Sequence, residues 1–265
     1  MQKRIIVGTL GSALMIFLIY YDELTFFILF LLIALLTQLE FYKLLGLDGT
    51  FPLKSFGTLM GGILFTLTFF VQMEWTDSAA YYILFPLFSL SFIIKLYKKE
   101  LFPFTNIALT YLGVIYVILP FCMLTVAAFE NGRYNPEIII GSLLLLWASD
   151  TGAYFAGRFF GRRKLFRRVS PKKTWEGTIG GAFLTFLMAF GLSFIFRSVQ
   201  IIDLYLVSAV IIVFGSYGDL VESLFKRSID IKDSSNVLPG HGGFLDRFDG
   251  LLLASPFILL IFKFF

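Results

Sequence analysis

Four aspartates carry most of the chemical potential of this 265-residue chain: Asp150, Asp219, Asp246 and Asp249 lie within or beside long apolar stretches, with lysines and arginines close by in sequence. An unpaired carboxylate in hydrocarbon costs at least ~2.5–3.5 kcal/mol on insertion scales, which makes Asp150 and Asp219 functional candidates by position alone. A salt bridge from each acid to a neighbouring cation would explain one such residue; it explains four at matched depth poorly. Clustered oxygen ligands suit a hard cation, and Mg²⁺ typically takes one or two carboxylates while leaving places for phosphate oxygens. His241 is the only histidine, which excludes a transition-metal centre built on two or three of them.

The cations supply the complementary half. Ser170 and Pro171 read as the N-cap and first turn of a helix, placing Lys172 and Lys173 where the helix dipole disfavours positive charge and an anion would relieve the conflict. Lys226, Arg227, Lys232 and Arg247 add charge from a second loop, whereas Arg162, Arg163, Lys164, Arg167 and Arg168 read as anchors to anionic head groups. Ser223 stands one helical turn beyond Asp219 and can hold a metal-bound water; Glu176 and Glu222 read as supporting groups or solvated rim residues. No G-x-x-x-x-G-K-[ST] motif occurs and Gly240-His241-Gly242-Gly243 follows no predicted strand, so a nucleotide would be held by metal and cations alone.

The elements that must position these groups are membrane helices. An apolar fraction of 58% with 15% charged residues lies far from the balance of a soluble domain. Nine apolar stretches are expected to span, at about 5–21, 24–39, 56–72, 79–97, 106–129, 137–157, 177–196, 204–224 and 250–265. Lys3 and Arg4 precede the first, but no small-x-small cleavage site follows, so it reads as a retained helix. With the N-terminus cytoplasmic and the C-terminus outside, 19 of the 22 lysines and arginines fall on the cytoplasmic side. Asp150 then lies about 12 Å below the basic rim and Asp219 about 10 Å, at 1.5 Å per helical residue. Asp246 and Asp249, three residues apart, share one face at the start of the last span. The four acids are expected to converge on one cytoplasmic cavity.

The organisation expected is an all-α polytopic integral membrane protein with an N-terminal transmembrane scaffold half, 1–136, and a C-terminal catalytic half, 137–265. Gly57 and Gly61 form a small-xxx-small face for close helix contact, and the apolar N-terminal half offers a surface for a homodimer. Cys122 is alone within a span and reads as packing.

From Ser223 to Asp249 the chain resembles the signature of the CTP:phosphatidate cytidylyltransferases, or CDP-diacylglycerol synthases. Ser223, Lys226, Arg227, Lys232, Asp233, Ser235, Leu238, Pro239, His241, Gly242, Gly243, Phe244, Asp246, Arg247 and Asp249 fill it without departure. A second family segment is similar to Ser149-Asp150 through Ser170–Gly177. The resemblance is specific over 147–249. It implies transfer of CMP from CTP to phosphatidate with release of pyrophosphate, in a bacterial cytoplasmic membrane with the active site facing the cytoplasm. It further implies Mg²⁺, with or without a second cation, on Asp219, Asp246 and Asp249, and Asp150 as a further ligand or a supporting group. Lys226, Arg227, Lys172 and Lys173 would neutralise the triphosphate and the departing pyrophosphate. His241 would bond a phosphate or ribose oxygen, or fix the glycine-rich turn. The partners expected are CTP, phosphatidate and the bilayer, with no nucleic acid. A CTP-dependent lipid kinase is the nearer alternative and would transfer the γ-phosphate; a secondary transporter fits less well, because the acids sit in one half only and no internal repeat is visible.

Overall fold

The computed structural model describes residues 2–46, 49–130, 132–231 and 243–264. Lipid offers the backbone no hydrogen bonds, so apolar segments of this length close their own as helices. The order begins with α1 (Gln2–Tyr21), α2 (Glu23–Leu45) and α3 (Lys54–Gln72), then α4 (Leu84–Leu96), which continues a 3-10 segment starting at Ser78. α5 (Pro103–Gly113) and α6 (Leu119–Ala127) form one rod interrupted by a π-helical turn over Val114–Ile118. The short strands β1 (Phe129–Glu130) and β2 (Arg133–Tyr134) precede α7 (Pro136–Phe160). β3 (Lys164–Phe166), β4 (Ser170–Thr174), α8 (Trp175–Leu192) and α9 (Ile201–Val210) follow, then a second π-helical turn over Ile211–Gly215, α10 (Ser216–Ser228) and α11 (Leu245–Phe264).

Among the described residues, 7 helical rods are long and apolar enough to cross a membrane, and α1 adds a shorter apolar run, Gly8–Tyr21. The chain is an all-α polytopic membrane protein. Helix starts follow local chemistry: Asp22 accepts from Leu24 N at 3.2 Å, and Asn135 accepts from Glu137 N at 3.1 Å with Pro136 in the first turn.

One helix start differs from the sequence expectation. Ser170 and Pro171 do not open a helix; they begin β4, which pairs antiparallel with β3 in the register Lys164↔Thr174 and Phe166↔Ser170. The cap of α8 is Thr174, whose Oγ1 accepts from Gly177 N at 3.2 Å. Lys172 and Lys173 therefore ride on a hairpin strand, not in a helical first turn. Trp175 N donates to Arg163 O at 3.0 Å, and Glu176 accepts from the backbone N–H groups of Arg162 and Arg163, closing the hairpin onto the helix start.

Two compact units divide the chain. The first holds the described residues up to Arg133 together with 243–245, and its core is aromatic: Phe27 stacks on Phe69 at 4.5 Å and Phe30 meets Phe121 edge-on at 5.9 Å. Gly57 and Gly61 are buried inside this unit, where added Cβ atoms would run into Tyr42 and Thr110, and into Gln38 and Ile118. Their small-residue face thus serves packing within the chain. Tyr42 occupies the room so made and donates to Thr110 O at 2.5 Å.

The second unit holds Tyr134 to 231 and Asp246 onward, and glycines let its helices touch. A Cβ on Gly152 of α7 would meet Gly180 O at 2.7 Å, and one on Gly181 would meet Ser149 O at 2.8 Å. α10 and α11 cross in the same way, since a Cβ on Gly218 would strike Asp249 O. Overpacking a seam of this kind costs about 1–3 kcal/mol. Gly152→Val should therefore lower the thermal midpoint in detergent by several degrees, whereas Gly191→Ala, with nothing within 4 Å of the added carbon, should leave it unchanged or slightly raised. Equal midpoints for the two variants would remove the seam from this account.

Candidate active site

Within the second unit, α7, β4, α8, α10 and α11 enclose a cavity of about 680 Å³. Asp150, Asp219, Asp246 and Asp249 all line it, and so does Glu222. The cations on its walls are Arg158, Lys172, Lys173 and Lys226.

α10 supplies the densest set because its polar residues fall on one stripe: Asp219, Glu222, Ser223 and Lys226 are spaced i, i+3, i+4 and i+7. The π-helical turn over Ile211–Gly215 lies immediately before it. A π turn carries one extra residue, so the faces of α9 and α10 are offset by about 100° from those of a continuous helix. Where Gly218 lets α11 approach, Asp249 comes alongside. Carboxylate oxygens of Asp219, Glu222 and Asp249 all lie within 4.8 Å of one another. That is close to the about 4 Å that separates opposite oxygens on a Mg²⁺ ion with 2.0–2.1 Å bonds.

Two lysines balance part of this charge. Lys173 Nζ lies 2.6 Å from Asp219 Oδ2 and donates to Ser216 O at 3.1 Å, which ties β4 to the start of α10. Lys226 Nζ bridges Asp246 Oδ1 at 2.7 Å and Glu222 Oε2 at 3.1 Å. Ser223 Oγ donates to Asp219 Oδ1 at 3.3 Å, and Gly250 N donates to Asp249 Oδ1 at 2.6 Å. Glu222 is only 2% exposed, and its Oε1 is buried with no hydrogen-bond partner among the described residues. A buried carboxylate oxygen is costly to leave unmatched, so this atom calls for a ligand that brings positive charge. The oxygen-only donor set fits a hard divalent cation.

The sequence-derived candidates divide into four groups. Asp219 and Asp249 belong to the triad, while Asp150 and Asp246 line the same cavity outside it. Lys172, Lys173 and Lys226 are cavity walls, and Ser223 reaches it through Asp219. Arg227 and Arg247 are exposed and are not wall residues; Arg227 Nη1 donates to Ile231 O at 3.3 Å. Lys232 and His241 lie outside the described residues. Two wall residues went unrecognised as site groups in the sequence. Glu222 read as a rim or supporting residue, although its place on the Asp219–Lys226 stripe was the available signal. Arg158, which donates to Tyr154 Oη at 2.9 Å, was not singled out in the sequence.

Fold and site together define an integral membrane protein whose helices bring a cluster of carboxylates and several lysines to the walls of one cavity. Residues 2–265 match the family model described as the cytidylyltransferase family, and the chain belongs to that family. It is 31% identical over 273 residues to a phosphatidate cytidylyltransferase of Bacillus subtilis, covering 100% of this chain and 98% of the relative. It is also 39% identical over 179 residues to a phosphatidate cytidylyltransferase of Staphylococcus epidermidis, covering 66% of this chain and 67% of that protein. A Staphylococcus aureus protein of the same name is 37% identical over the same length. The chain is thus an integral membrane protein of a bacterial type.

The triad makes a prediction that needs no substrate. Removing one ligand charge with Glu222→Gln should weaken Mn²⁺ binding, followed by electron paramagnetic resonance, by about tenfold or more. Wild-type affinity in the variant would exclude Glu222 as a ligand.

Proposed function

We propose that this protein is a phosphatidate cytidylyltransferase: it transfers CMP from CTP to phosphatidate, giving CDP-diacylglycerol and pyrophosphate. The observation that carries the reading is the juxtaposition, in one cavity of a family member matched along its length, of the Asp219–Glu222–Asp249 triad with Lys172, Lys173 and Lys226.

A phosphate oxygen of phosphatidate attacks the α-phosphorus of CTP; the bond from that phosphorus to the bridging oxygen breaks, and pyrophosphate leaves with its electron pair. The nucleophile is already anionic, so no general base is required. The obstacle is the repulsion between two polyanions, and catalysis consists of positioning and charge neutralisation. Mg²⁺, held by Asp219, Glu222 and Asp249, supplies positive charge to the phosphates when bound. Lys173 and Lys226 sit on Asp219 and Glu222, which supports a role for both in neutralising the triphosphate and the departing pyrophosphate. Asp246 holds Lys226 in place through its 2.7 Å contact. Asp150, on the α7 wall, adds negative charge that favours cation binding. Arg158 and Lys172 complete the cationic side.

The described site residues all come from 137–265, which supports assigning catalysis to that half and a scaffold role to 1–136. The placement of 19 of 22 lysines and arginines on one side supports nine spans, a cytoplasmic N-terminus, an outside C-terminus and a cavity that meets CTP from the cytoplasm. The apolar N-terminal half supports a homodimer as part of the proposal, although Gly57 and Gly61, which pack within the chain, do not supply its surface.

Purified protein given phosphatidate, Mg²⁺ and CTP labelled on either the α- or the γ-phosphate should place only the α-label in lipid. Asp219→Asn should cut that transfer by at least about 10²-fold, the scale of losing one preorganised electrostatic group. Lipid carrying the γ-label would identify a kinase instead. Lys173→Ala should raise the KM for CTP or lower turnover; no change in either would remove Lys173 from phosphate neutralisation. Cys122 is the only cysteine and is 3% exposed, so a cysteine introduced as Arg167→Cys becomes the one accessible thiol. In intact cells an impermeant maleimide should miss it, and labelling from outside would reverse the topology.

A further inference from the structure

Glu40 lies on α2, far in sequence from every group considered so far, and is 5% exposed. Its Oε2 accepts from Phe244 N at 2.7 Å and from Leu245 N at 3.3 Å, and all three residues belong to the first compact unit. These are among the first backbone N–H groups of α11, which lack partners inside the helix; a carboxylate there meets both the open donors and the positive end of the dipole. Gly243 carries a matching feature. A Cβ at that position would overlap the Glu40 carboxylate, so a glycine there is what lets the acid reach the helix start.

The next residue along the chain after Leu245 is Asp246, and Asp249 follows one turn later. We infer that Glu40 is a positioning residue: it caps the start of α11 and so holds in helical form the first turn, which carries Asp246 and Asp249. Glu40 touches no reacting atom in this role. The inference rests on the cytidylyltransferase reading for its consequence but not for its geometry. It gives one residue of the N-terminal half a task in catalysis, and it assigns Gly243 a reason that belongs to this carboxylate.

The test uses full-length protein in detergent and two readouts apart from turnover: hydrogen exchange in a peptide covering 243–250, and Mn²⁺ affinity by electron paramagnetic resonance. Glu40→Ala should speed exchange in that peptide by at least about tenfold and weaken Mn²⁺ binding by about tenfold, the scale for loss of a group that orients metal ligands. Glu40→Gln, whose amide oxygen can still accept, should stay within about threefold of wild type in both. If Glu40→Ala yields no folded protein, Glu40→Asp takes its place, since it keeps the charge but withdraws the carboxylate by one methylene. Wild-type exchange and Mn²⁺ affinity in a folded Ala or Asp variant would overturn the inference, as would a Gln variant as impaired as Ala. A wild-type protein that places no α-label in lipid would instead overturn the reaction proposed above, while the exchange comparison would still decide the role of Glu40.

Discussion

Everything in the second unit is arranged around one unfavourable fact: several carboxylates are held close together inside an apolar bundle. Asp219, Glu222 and Asp249 come within 4.8 Å of one another, and Asp150 and Asp246 share the same walls. Like charges at that distance repel strongly where water is scarce, and each also loses hydration. Such a cluster is relieved by protonation or by cations. Lys173 and Lys226 provide two, drawn from the β4 strand and from α10 itself. Among the described residues Glu222 Oε1 is left over. An oxygen-only cluster of this kind fits a hard divalent cation.

Close approach has its own requirement, which small residues meet. The α7–α8 seam runs through Gly152, Gly180 and Gly181, and the α10–α11 crossing through Gly218 and Gly250. At the second of these the carbonyl of Asp249 sits where a side chain on Gly218 would be, so the glycine and the metal-ligand candidate are linked by geometry. The first unit uses glycine for a different end. There Gly57, Gly61 and Gly113 clear space for Tyr42 and Gln38, making a polar contact inside that unit. The same small-residue pattern thus serves a site in one unit and packing in the other, and sequence spacing alone does not separate the two.

What was legible in the sequence follows from how local each signal is. Charged residues in apolar runs stand out in any window, so Asp150 and Asp219 announced themselves and the spans placed them near Asp246 and Asp249. Glu222 read as a supporting group or a rim residue; its approach to Asp249 of α11 lies beyond the local window. The hairpin was misread because Ser-Pro imitates a helix start, while the pairing of β4 with β3 and the cap at Thr174 depend on a partner strand. Nothing in Ile211–Phe214 marks a π-helical turn. Glu40 was invisible for the same reason at greater range, its partner Phe244 being 204 positions away.

These failures share a direction. Residues that contact ions or phosphates are chosen for charge, which shows in the sequence; residues that hold them in place are chosen for reach, and reach exists only in the folded chain. Arg227 and Arg247, candidates because their charge stands beside the motif, are exposed and are not among the residues that line the cavity. The useful division in this protein is accordingly between groups that supply charge to a phosphate and groups that fix where that charge stands. Lys173 sits on Asp219 within the acidic centre and also bonds the backbone of Ser216, so its charge is anchored to the helix that carries the carboxylates. Electrostatic catalysis needs that kind of fixed charge, since a lysine free to follow its ligand would give up in reorganisation what it gained in attraction.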